Sequence, residues 1–139
     1  MRIIPLTVVF FFPLLLLGQS KPPDCSKIKK GIFYFYPAGT DKCYRVDRGD
    51  SVQEEIDLTD PDTSFWKVDW QDPCHFSLAF ISNNPPVTGE KLDFMNSHTV
   101  ICEVQKVTKR YYIFKARMDP DPGEEIPADT LWVRKRELK

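Results

Sequence analysis

Residues 64–70 read Ser-Phe-Trp-Lys-Val-Asp-Trp, with Trp66, Val68 and Trp70 falling on one side and Lys67 and Asp69 on the other. A period of two is the mark of a strand with one buried face, and it does not suit a helix. The same period recurs along the chain. Residues 31–37 are aromatic and β-prone, and 42–48 set Tyr44 and Val46 against Cys43, Arg45 and Asp47. Residues 51–58 place Val52, Ile56 and Leu58 on one side. Residues 74–82 align Cys74, Phe76, Leu78 and Phe80, and 98–107 align Val100, Cys102 and Val104. Residues 110–118 align Tyr112, Phe114, Ala116 and Met118, and 130–138 supply the last such stretch. Between them lie turn clusters rich in Gly, Pro, Asn and Asp, such as TDPDT, NNPPVTGE and DPDPGEEIPAD. After residue 20 only a helical turn near 89–95 interrupts the pattern.

Eight short strands separated by close turns imply an all-β domain of antiparallel strands in a meander. Such strands must protect their edges, so the expectation is a small closed barrel, lipocalin-like, or a flattened sandwich. The inner faces would carry Phe33, Phe35, Tyr44, Trp66, Trp70, Phe76, Phe80, Tyr112 and Phe114. Six of these, Trp66, Trp70, Phe76, Phe80, Tyr112 and Phe114, are the candidate core or ligand-lining aromatics. An eight-stranded barrel has room for side chains or for one small ligand. So many rings therefore favour a packed interior over a roomy pocket.

The first 20 residues have a different character. One positive charge (Arg2) precedes an apolar run from Ile3 to Leu17, and small residues follow at Gly18 and Ser20. This is the pattern of a signal peptide cleaved after Ser20, and the run is shorter than the about 20 residues that span a bilayer. The expected mature chain is a single domain, 21–139, exported to the periplasm or beyond, with no membrane span. Its four cysteines (Cys25, Cys43, Cys74, Cys102) form an even set, with three possible connectivities. They contain no C-x-x-C pair, which disfavours zinc or a thioredoxin-type site. Nineteen basic residues against 20 acidic ones give a net charge of −1, without the electrostatic footprint of a nucleic-acid binder.

Few residues carry recognisable chemistry. Arg48-Gly49-Asp50-Ser51 could be an adhesion signal, but a polar tetrad around a glycine between Val46 and Val52 is what a hairpin needs, with Gly49 free to take φ > 0. His75 and His98 lack partners at metal-ligand spacing and fall on outward faces. No serine sits in a nucleophile elbow. The run Asp119, Asp121, Glu124, Glu125 and Asp129 lacks the EF-hand order and reads as a solvated acidic loop, with a calcium site as the alternative. No cofactor motif is present.

Three stretches in this order, CSKIKKGIFYFY, YRVDRGDSVQEEI and SFWKVDWQDPCHFSLAF, resemble a group of small exported proteins of Bacteroidota, sometimes labelled "DNA topoisomerase IV". The label does not suit a near-neutral, exported chain without ATP or metal motifs. The resemblance spans most of the chain, is strongest over 25–80, and brings no catalytic residue with it. In that group other polar residues stand where Arg48 and Gly49 stand here. The resemblance implies a bridge between Cys25 and Cys74. It leaves Cys43 and Cys102 as a second bridge, which departs from the group's own pattern. The expected function is a non-enzymatic barrel binding either an envelope partner or a small apolar ligand. The alternative is a hydrolase of envelope polymers that uses acidic residues.

Overall fold

Alternation becomes architecture in the computed structural model, which describes residues 21–137. The expected signal segment and its cleavage point lie outside the described residues. After a 3-10 turn at Cys25–Ile28 come β1 (Gly31–Phe35), β2 (Tyr44–Arg48), β3 (Val52–Asp57), β4 (Asp62–Asp72) and β5 (His75–Asn84). A helix, α1 (Gly89–Ser97), precedes β6 (Thr99–Val107), β7 (Tyr111–Asp119) and β8 (Asp129–Trp132). Each strand pairs antiparallel with the next, and β1 pairs with β8 through Tyr34 opposite Trp132 and Phe35 opposite Leu131. The sheet is a closed barrel rather than a sandwich. Closure removes the free edges that a sandwich would have to protect.

Two ends of the barrel differ. The 3-10 turn plugs one end, where Cys25 and Ile28 are buried and Cys25 is bridged to Cys74 in the β4–β5 turn. Asp72 shapes that turn by accepting from the amides of Cys74 (2.8 Å) and His75 (2.9 Å) and pairing with His75 Nδ1 (2.7 Å). At the other end α1 lies beside the mouth, with none of its residues buried. The short region read as a helical turn is thus a full helix of nine residues, while the last strand stops at Trp132, short of the stretch expected. The core between the ends includes Phe33, Val46, Val68, Phe76, Leu78, Val104, Tyr112 and Leu131.

The inner face of β3 reverses the expectation. Gln53 and Asp57 are buried, and Glu55 lines the interior between them, whereas Val52 and Leu58 are exposed. Pairing fixes this choice, because Gln53 lies opposite Arg48 and Glu55 opposite Val46, which are inward positions of β2. A period of two says that residues alternate but not which set faces in. The hydrophobic rule fails here because the interior has a polar side.

Gly49 also departs from expectation. Its amide donates to Val52 O (2.8 Å) in a tight hairpin, but its φ is not positive, and no described non-glycine residue has positive φ. The turn is real without the left-handed backbone. The bridge between Cys43 and Cys102 is absent: both thiols are free and buried. Cys43 immediately precedes β2, and Cys102 lies in β6, four strands away around a ring of eight. Cys102 faces the interior, while Cys43 is buried just ahead of β2 and does not line the cavity. Two cysteines on opposite walls cannot reach the about 4.4–6.8 Å Cα separation that a disulfide needs.

Candidate ligand cavity

Inside the barrel the aromatic rings leave a cavity of about 190 Å³. Four of the six candidate aromatics, Trp66, Phe76, Tyr112 and Phe114, line it, joined by Phe35, Leu78, Val100 and Leu131. The other two act from behind. Trp70 packs on Phe76 with ring centroids 4.6 Å apart, and Phe80 meets Trp66 edge-on at 5.6 Å. The expectation of a filled interior is corrected to this extent, since the inner positions of β3 hold polar side chains where large apolar ones would have closed the space.

The polar side is organised around Arg48. Its position on β2 shares the parity of Tyr44 and Val46, so the strand carries it inward, and the residue is only 3% exposed. Nε donates to Gln53 Oε1 (2.6 Å), Nη1 to the Ile28 carbonyl of the plug (3.1 Å), and Nη2 to the Tyr112 hydroxyl (2.9 Å). The guanidinium lies 4.5 Å from the Phe76 ring centroid and 5.5 Å from that of Phe33, which provides cation–π contact at this depth. Gln53 continues the network by donating from Nε2 to Glu55 Oε1 (2.7 Å). Burial raises the Glu55 carboxyl above its usual range, against the opposing pull of the Gln53 bond and the Arg48 charge. Burial likewise pushes the Cys102 thiol up to about 12, so it stays protonated and behaves as an apolar lining atom.

This placement decides the question of Arg48-Gly49-Asp50. Arg48 lies inside the barrel, whereas the Asp50 side chain is exposed and pairs with Lys30 Nζ at 2.5 Å. The three residues do not present a common recognition surface. Sequence reasoning assigned Arg48 to the turn and missed its role in the cavity. The available signal was its parity, since two-residue counting from Tyr44 through Val46 lands on it.

A second hollow of about 310 Å³ opens at the mouth, between strand ends and α1. Phe35 and Glu55 line both spaces, and Lys91 and Met95 bring the helix to the outer one. Glu55 and Asp62 share its wall, and Asp62 accepts from Asn83 Nδ2 at 2.5 Å. The remaining candidates stay apart from both. His75 is held by Asp72, and His98 stacks on Phe94 with centroids 4.0 Å apart. The acidic run from Asp119 to Glu125 is exposed, and Asp121 accepts from the amide of Gly123 (2.8 Å) in a local turn. Among the described residues no three His, Cys, Asp or Glu side chains gather at metal-binding range. Comparison with protein-family models, curated proteins and solved structures gives no match.

Proposed function

We propose that this chain is an exported, non-enzymatic binding barrel whose ligand is small and largely apolar. The observation carrying this reading is the cavity of about 190 Å³ between the barrel walls, apolar on most sides, with Arg48, Gln53 and Glu55 converging on one side. Ligand sites combine an apolar body with a few placed polar groups in this way. Export is supported by the signal-like pattern of the first 20 residues, and a disulfide between Cys25 and Cys74 is compatible with an oxidising compartment. The reactive groups in the cavity give little support to catalysis, since its only thiol is held protonated and Glu55 is engaged by Gln53.

The alternative, hydrolysis of an envelope polymer, rests on Glu55 and Asp62 sharing the outer hollow. A thermal-shift screen of the mature chain separates the two. A carrier is stabilised by small hydrophobic compounds and hydrolyses no glycan or peptide polymer. Polymer turnover abolished in Glu55→Gln or Asp62→Asn would support the alternative. No stabilisation by any compound of this size would remove the carrier reading.

A further inference from the structure

Arg48 is a buried cation whose hydrogen bonds all go to neutral acceptors. A guanidinium has five N–H groups, and the bonds to Gln53, Ile28 and Tyr112 use three of them. The carboxylate that lines the same cavity, Glu55, bonds to the amide of Gln53 and not to Arg48. An interior charge without a directly paired opposite charge is expensive, and a barrel needing only stability would do better with an apolar residue there. Tyr112 adds a second donor. Its oxygen accepts from Arg48 Nη2, so its own O–H proton remains free to point elsewhere, and the residue is fully buried in the cavity wall.

We propose that the cavity binds a small monocarboxylic acid, its carboxylate held by the free N–H groups of Arg48 and the Tyr112 hydroxyl, its ring or short chain packed against Trp66, Phe114, Val100 and Leu131. This rests on the carrier reading and adds the chemistry of the ligand. The charge balance admits at most one added negative charge. Among the described residues Arg48 is the one cation lining the cavity, and it balances a ligand carboxylate when Glu55, whose carboxyl burial raises, is protonated; a dianion would be repelled. The planar fork of arginine matches the two oxygens of a carboxylate. Phe76 and Phe33 pack close to the guanidinium, and that leaves its edges as the groups to be used. Size limits the body. An apolar cavity of about 150 Å³ accommodates benzene, so about 190 Å³ suits one ring with an acid group. A long acyl chain would have to pass Phe35 and Glu55 into the outer hollow.

Calorimetric titration of the full mature chain with phenylacetate, phenylacetamide and ethylbenzene tests this. The acid is expected to bind at least about tenfold more tightly than the amide, as charge-assisted hydrogen bonds imply. That preference is expected to vanish in Arg48→Met and to shrink several-fold in Tyr112→Phe, with affinity for ethylbenzene retained in both. Should Arg48→Met not fold, the acid-to-amide ratio in the unaltered chain and in Tyr112→Phe decides alone. Equal binding of acid and amide would overturn the inference while leaving the carrier reading intact. Failure of all three compounds to bind would overturn both.

Discussion

Asp57 shows at the residue scale how a buried carboxylate is kept on this polar inner face. Burial raises its carboxyl, but Lys42 Nζ (2.8 Å) and the Thr59 amide (2.9 Å) and hydroxyl (2.6 Å) outweigh that effect and hold it below the usual range. A carboxyl depressed on folding contributes stability in full above its ordinary value of 3.8, and the contribution drains away as pH falls below it. Asp57→Asn is therefore expected to flatten the loss of stability between about pH 4 and pH 2, measured by urea denaturation across that range. Two glycines give a second contrast. Gly31 has φ 138° and Gly49 has no positive φ; a Cβ on Gly49 would sit 3.4 Å from Val52 O. Gly49→Ala is expected to change stability by less than about 1 kcal/mol, and Gly31→Ala to destabilise by more than that, because only the second forces a side chain into a disfavoured backbone region. Thermal melts of the two variants check the order.

Among the elements, the plug and β3 carry most of what the fold does for the cavity. The disulfide joins Cys25 on the plug to Cys74 across a sequence separation of 49, and the plug's Ile28 carbonyl in turn holds Arg48. Replacing both cysteines by serine is expected to lower stability by about 2–4 kcal/mol in chemical denaturation, with the barrel still formed. Strand number and antiparallel order were legible in the sequence, because two-residue alternation and turn clusters act locally. The facing of β3 was not. Val52, Ile56 and Leu58 look like a core face, and only pairing with β2 and β4 turns Gln53, Glu55 and Asp57 inward. The same non-local information separates Cys43 from Cys102. Four of the six candidate aromatics do line the cavity, since hydrophobic alternation on β4, β5 and β7 was sound, but its polar counterpart Arg48 was concealed in a stretch read as a turn.

At the scale of the whole molecule, a barrel closed by β1–β8 pairing, plugged at one end and flanked by α1 at the mouth, surrounds a cavity of about 190 Å³. If the chamber exists for a ligand, filling it should remove binding without harming the fold, because natural sites often hold less stability than packing allows. Val100 is suited to this. It lines the cavity from β6, is only partly buried, and lies opposite Leu78 and Met118 in the sheet. The most direct measurement is the melting temperature of the unaltered chain and of Val100→Phe, each with and without a saturating small aryl acid. The expected result is a ligand-induced rise in the unaltered chain and none in Val100→Phe, whose unliganded melting temperature is equal or higher. An undiminished ligand-induced rise in a folded Val100→Phe would place the bound molecule outside the barrel and contradict the account.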